Sequence, residues 1–455
     1  MITWQDLTLD EQKDVLARPA IANRADLTSK VADIIQLVKD KGDDALLELT
    51  AKFDGLTLDS VALPQEQADA IIATLGAEQK AAIELAYGQI KRFHEAQVQP
   101  NVKVETSPGV VCELITQAIS SVGLYIPGGS APLPSTVLML GVPAQIAGCK
   151  RTVLCTPPDT SANNKGGITA EILYAAKLCG INEIYRTGGA QAVAAMAYGT
   201  NSIAAVDKIF GPGNSFVTEA KQLVAQDPAG AAIDMPAGPS EVLVLADANA
   251  NSAFVAADLL SQAEHGPDSQ VILVSDSKTL IEQTKRDIES QLTLLPRADI
   301  AKKALSNSRF ILASSLENAV QISNQYAPEH LIVQFDNARE WLGKLDNAAS
   351  VFLGAYTPES AGDYASGTNH VLPTYGYSKV LSSLNLADFT RKFTVQEITP
   401  SGLQAIGPAI MTLAAAEGLD AHRNAVGLRL DALTAKLNTA IDATVSDSNL
   451  SGTNK

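Results

Sequence analysis

Long apolar runs are missing from this chain of 455 residues. Nothing approaches the roughly 18 apolar residues that cross a bilayer as a helix. The most apolar stretch, Thr136 to Cys149, is broken by Pro143, Gln145 and Gly148 and reads as a buried helix. Basic residues are scarce too: 34 Lys and Arg face 50 Asp and Glu, a formal charge of −16. That balance excludes a general nucleic-acid binder, which needs a basic face to neutralise phosphates, and it disfavours docking on an anionic membrane. A local basic pocket for an anionic ligand stays open. Cysteine is limited to Cys112, Cys149, Cys155 and Cys179, which form no disulfide framework and show no metal-type spacing. The opening MITWQDLTLDEQKD has neither the basic start nor the apolar core of a secretory signal. A reducing cytoplasm is the expected home.

What is present is ordinary for a folded protein: 46% hydrophobic and 18% charged residues. The length suggests about two to four domains. From Asp26 to Phe53 the apolar residues Val31, Ile34, Ile35, Val38, Leu46 and Leu47 keep a helical rhythm, and Gly42 divides it into two helices. Glu78 to His94 is a further helix, so the N-terminal quarter reads as mostly helical. From Ser121 short apolar strands alternate with helices: Val122–Ile126, Thr152–Thr156, Glu183–Thr187 and Lys208–Phe210, with helices from Ser135, Thr169, Ala190 and Ser215. A second series has strands at Val242–Ala246, Gln270–Ser275, Phe310–Ala313, Leu331–Phe335 and Ser350–Leu353. The reading is therefore an α/β protein with two mostly parallel sheets in tandem. A glycine-rich polar stretch, Gly354 to Tyr377, leads to two last helices, about Gly402–Ala416 and Ala421–Leu437. The Ser/Asn/Thr-rich tail, 438–455, is expected to be disordered.

Ligands in open α/β sheets bind at the carboxyl ends of the strands. Glycine-rich turns stand there at Pro127-Gly128-Gly129, Gly188-Gly189-Ala190-Gln191 and Gly211-Pro212-Gly213-Asn214. Each offers close backbone approach and the free N–H groups of a helix start, suited to a phosphate. None is a GxGxxG fingerprint, and ordinary tight turns explain them about as well. Of five histidines, His94 sits among Lys91, Arg92 and Glu95 and reads as a surface residue. His265 closes a helix one turn after Gln262. The partial negative charge of a helix end favours a cation there, so the pair suits a metal, although a lone helix-end histidine is an equal reading. Asp363 and His370 lie in the long polar loop, and His422 shares a corner with Glu417. His, His, Asp and an oxygen donor suit zinc. Glu329-His330 could divide general acid and base work, though an EH dipeptide is commonplace.

At these residues a family becomes recognisable. The strings VGLYIPGGSAPLPSTVLMLGVPA, GGAQA, DKIFGPGN, DMPAGPSEVLV, DLLSQAEHGPDSQV, NQYAPEHL and ESAGDYASGTNHVLPTYG closely resemble L-histidinol dehydrogenases, from near the N-terminus to about Leu437. Only an insert at Asp159–Gly167 and the tail depart, outside the motifs. The resemblance implies a cytoplasmic enzyme that takes L-histidinol to L-histidine through the aldehyde with two NAD+, closing histidine biosynthesis. It implies two incomplete Rossmann-like (aldehyde-dehydrogenase-like) domains and an intertwined homodimer. The segments would be an N-terminal arm (1–18), a large domain (19–124 with 242–384), an NAD-binding domain (125–241) and a C-terminal arm (385–437) reaching the partner subunit. One zinc per subunit would be held by Gln262, His265, Asp363 and His422, the last from the partner subunit. Substrate contacts would fall on Ser240, His330 and Glu417 beside the metal ligands. Dinucleotide contacts would fall on Tyr125, Gln191 and Asn214, and proton transfer on Glu329 and His330. Cys149 and Cys155 read as buried small hydrophobes rather than nucleophiles. Two competing readings are a reductase acting through a cysteine thioester and a non-catalytic zinc-binding protein on the same fold.

Overall fold

A computed structural model describes residues 1–18, 24–128, 132–235 and 238–450. The chain forms two compact units: Met1–Val98 with Ala118–Thr390, and Gln99–Gln117 with Arg391–Lys455.

The first unit contains both expected sheets. One runs Glu183–Arg186, Arg151–Thr156, Ser121–Tyr125, Lys208–Phe210, Ala232–Ile233. In chain order this is third, second, first, fourth, fifth, the doubly wound arrangement, with every pair parallel. The other sheet repeats that order with Arg309–Leu312, Gln270–Ser275, Glu241–Ala246, His330–Gln334 and Ser350–Leu353. The N-terminal Ile2–Thr3 adds a sixth parallel strand beside Arg309–Leu312. Strands Glu241–Ala246 and Gln270–Ser275 are buried at every residue, as continuous apolar strands covered on both faces must be.

The early helices Arg24–Lys41 and Asp43–Phe53 meet at Gly42, whose φ of 55° admits the break. They bury Val31, Ile35 and Leu46 against Val193 and Ala197 of the helix Gly189–Tyr198. Helix Ala77–Glu95 sets Ile83 and Ile90 in the cluster formed by Val137, Leu138 and Met139 of Pro134–Ala147. These helices thus pack on the helices that flank the five-stranded sheet.

The second unit holds an antiparallel hairpin, Val102–Ser107 with Val110–Ala118, joined by Thr390–Ile398, so the N-terminal quarter is not all helix. Helix Pro400–Ala416 packs on Asp420–Leu450. That last helix continues thirteen residues beyond Leu437 into the expected disordered tail, through a stretch with alanines at 440 and 443 that favour helix. Residues 451–455 lie outside the described residues. Among the described residues no helix is long and apolar enough to cross a membrane.

Candidate active site

In a parallel sheet each crossover helix returns the chain to the amino ends of the strands. Two such returns build a cluster in the six-stranded sheet. Helix Ser252–Ala263 ends at Gln262 and His265, and helix Leu316–Tyr326 turns through Ala327 into Glu329 and His330. Ala327 makes that corner with a left-handed backbone, φ 55°. His330 opens its strand opposite Val242 and Ser350, beside Glu241. The cluster therefore sits at the amino ends, opposite to the usual rule. Converging helix C-termini put partial negative charge there, which suits a cation.

Glu241 holds both members of the Glu-His pair with its own main chain. Its N–H donates to Glu329 Oε2 at 2.8 Å, and its carbonyl stands 3.0 Å from His330 Nδ1. A carbonyl can only accept, so Nδ1 carries the proton and Nε2 keeps the lone pair. Burial pushes the His330 imidazolium down to about 3, leaving the ring neutral. Burial first, and then the carboxylates of Glu241 and Asp363, hold Glu329 well above the usual carboxyl range.

Several atoms around this pair are sealed from solvent without a partner: His330 Nε2, both amide atoms of Gln262, both carboxyl oxygens of Glu359 and Nε2 of His370. Native interiors rarely leave so many polar atoms unsatisfied in one place. Gln262 is 0% exposed and Glu359 1%. Glu359 opens the short helix Glu359–Tyr364, which ends with Asp363 beside it and packs on Ser252–Ala263. Ligand atoms of His330, Glu359 and Asp363 lie within 4.8 Å of one another. Burial raises the Asp363 carboxyl to about 6 and lowers the His370 imidazolium to about 4. His265 is solvent-accessible, yet enough protein crowds its ring to lower its imidazolium as well. Orphaned amide, carboxylate and imidazole donors fit a divalent, zinc-like ion.

The structure thus gathers His265, Glu329, His330 and Asp363, with Gln262 buried one turn before His265 and Ser240 half-buried just before Glu241. It adds Glu359 and His370. From sequence alone His370 reads only as a loop residue and Glu359 only as the acid that heads the string ESAGDYASGTNHVLPTYG. Glu417 and His422 belong to the second unit and are exposed there.

The glycine turns lie at the carboxyl ends of the five-stranded sheet, as expected, except that Gly129 lies outside the described residues. Tyr125 Oη accepts the Gly189 N–H at 3.1 Å, and burial raises the phenol to about 12. Gly211 has φ 121° and a Cβ there would stand 2.1 Å from Tyr125 O, so only glycine fits. Asp234 accepts its N–H and Lys221 donates to its carbonyl, both at 2.8 Å, and the two side chains pair with each other. Gln191 is buried in the first turns of its helix. Asn214 is exposed and caps the next helix, accepting from Phe216 and Val217 N–H.

His94 is not at the surface. It is 0% exposed, with Nδ1 donating to Ile90 O at 2.8 Å and Nε2 facing Asn369. Cys155 is buried and Cys149 half-buried; burial raises the Cys149 thiol to about 11, the Cys179 thiol to about 12 and Cys155 further. None has the lowered pKa of a nucleophile.

The family described as histidinol dehydrogenase matches residues 17–430. The chain is 59% identical over 433 residues to a histidinol dehydrogenase of Vibrio parahaemolyticus, covering 95% of this chain and 99% of that one. It is 60% identical over 431 residues to one of Colwellia psychrerythraea, covering 95% and 98%. The crystal structure of histidinol dehydrogenase from Elizabethkingia anophelis superposes with a TM-score of 0.90 at 49% identity, covering 95% of this chain and 98% of that one. The chain is a member of the histidinol dehydrogenase family, an NAD-dependent oxidoreductase of histidine biosynthesis.

Proposed function

We propose that the protein is a zinc-dependent, cytoplasmic L-histidinol dehydrogenase that uses two NAD+ to take L-histidinol through the aldehyde to L-histidine. The observation that carries this is the buried pair Glu329 and His330, both held by the main chain of one residue, Glu241, with His330 Nε2 free among orphaned metal-type donors. Gln262, His265, Asp363 and His422 of the partner subunit would hold the zinc. When bound, the metal offers sites to the imidazole and amine of histidinol and so orients the substrate. When bound, NAD+ would supply the hydride acceptor for both steps.

The chain's own groups do the rest. Ser240, and Glu417 of the partner subunit, would bind substrate. Tyr125, Gln191 and Asn214 would line the dinucleotide site beside the helix starts. His330 takes the alcohol proton at Nε2 as the hydride leaves. Glu329, once deprotonated, takes a proton from the water that adds to the aldehyde. The gem-diol then gives up its one carbon-bound hydrogen as the second hydride and a hydroxyl proton to His330, which has passed its first proton to solvent, giving the acid. A homodimer with shared sites agrees with the second unit, where Glu417 and His422 are exposed beside Leu413 and Leu428, 65% and 71% exposed in one chain.

Stoichiometry tests the reading. Two NADH should form for each histidine; one NADH with aldehyde accumulating would overturn it.

A further inference from the structure

The Glu-His pair depends on Glu241, and Glu241 is itself held from an unexpected quarter. Its side chain is 3% exposed. The carboxylate accepts from Arg18 Nε at 2.6 Å and Nη2 at 2.8 Å, and from the Tyr375 N–H at 2.8 Å. This is the two-pronged arginine–carboxylate geometry, which fixes orientation as well as charge. Arg18 also reaches the corner that delivers Glu329. Its Nη2 donates to Tyr326 O at 2.8 Å and Ala327 O at 3.1 Å, and its guanidinium lies 4.0 Å over the Tyr326 ring. Ser378 Oγ donates to the same Ala327 carbonyl. The corner needs such support because Ala327 has a left-handed backbone.

We propose that Arg18 and Glu241 are a positioning pair for the proton-transfer residues, fixing the Nδ1–H tautomer of His330 and the orientation of Glu329. This rests on the reading of Glu329 and His330 given above. The N-terminal segment is then part of the catalytic apparatus. It is anchored by the strand Ile2–Thr3 and by Gln270 Nε2 donating to Ala17 O. A shift of the Glu241 backbone would loosen both side chains together, since the N–H of that residue serves one and its carbonyl the other. Breaking the ion pair on either side leaves a buried charge without its partner, so the local backbone must shift. Lysine at position 18 would keep the charge but lose the fork that spans carboxylate and corner carbonyls.

The test uses the full-length, metal-loaded protein and the variants Arg18→Met, Arg18→Lys and Glu241→Gln. Arg18→Met and Glu241→Gln should lower kcat about 10–100-fold while KM for NAD+ and metal content stay at wild-type values, because small misplacements of reacting groups cost rates of that order. Arg18→Lys should recover only part of the loss. In protein labelled with 15N-histidine, the His330 signal, assigned by its absence in His330→Asn, should show a single Nδ1–H tautomer in wild type and a mixture in Arg18→Met. A kcat within twofold of wild type in both Arg18→Met and Glu241→Gln, or an unchanged tautomer, would overturn the proposal. So would equal loss of kcat, metal and NAD+ binding, which marks a general structural defect. Should Arg18→Met fail to fold, Arg18→Lys carries the same kinetic and tautomer comparison. A wild-type protein that makes no NADH from histidinol would defeat the functional reading alone, since the tautomer comparison needs no turnover.

Discussion

Replacing Glu329 by glutamine should separate the two oxidation steps. Glu329 Oε2 accepts the Glu241 N–H at 2.8 Å, and the amide oxygen of glutamine can accept the same bond. The replacement keeps shape and keeps the hydrogen bond, so the structural cost should stay below about 1 kcal/mol. What disappears is proton binding. Burial holds that carboxyl well above the usual range, so its carboxylate is a strong base once the proton has left. Losing a general base costs about 10²–10⁴ in rate, or about 3–5 kcal/mol, in the step that uses it. That step is the addition of water to the aldehyde. His330, bonded to the Glu241 carbonyl rather than to its N–H, keeps its own hydrogen bond and its free Nε2. Alcohol oxidation should therefore slow far less. Single-turnover NADH formation, started once from histidinol and once from histidinal, reads the two steps apart. Equal slowing from both starting points would refute the division of work between Glu329 and His330.

His265→Asn should lose bound metal and turnover while keeping native circular dichroism, because His265 lies past its helix end and is solvent-accessible rather than part of the core; loss of folded structure with the metal would make the site structural as well. Co-expressed His265→Ala and His422→Ala chains, each inactive alone, should recover roughly a quarter of wild-type activity, since about half of random dimers are mixed and each mixed dimer has one complete site. No recovery in verified mixed dimers would take His422 of the partner subunit out of the ligand set. Iodoacetamide at pH 7–8 should leave turnover unchanged: burial raises the Cys149 thiol to about 11 and Cys179 to about 12, so both stay protonated until the pH climbs toward those values, and Cys155 beyond them. Inactivation by modification of one cysteine would instead point to a thioester route.

Much of the first unit was legible because its strands are buried on both faces and read as unbroken apolar runs between glycine turns. Strands Lys208–Phe210, Gln270–Ser275 and Ser350–Leu353 fall where the sequence places them. The hairpin Val102–Ser107 with Val110–Ala118 was not legible. Its first strand, VKVETS, is almost wholly exposed, so pairing rather than burial holds it and no apolar signal marks it. His94 was hidden by its charged neighbours, yet a signal existed. It lies four residues after Ile90 and eleven after Ile83, on the one buried face of that helix. The site was readable as a set of residue types, and the motifs supplied the set. Its place at the amino ends of the strands was not, because that depends on where crossover helices end. Glu359 heads a quoted motif, yet nothing in its residue type marks it as a buried site residue: an acid at the start of a short helix is usually solvated, and only packing buries it here.

The most direct test of the whole account is NADH formation from L-histidinol by protein stripped of metal with a chelator, before and after zinc is restored. The account predicts that turnover disappears with the metal and returns when about one zinc per chain is added back. Undiminished turnover in metal-free protein, or no NADH from histidinol in zinc-loaded protein, would contradict it.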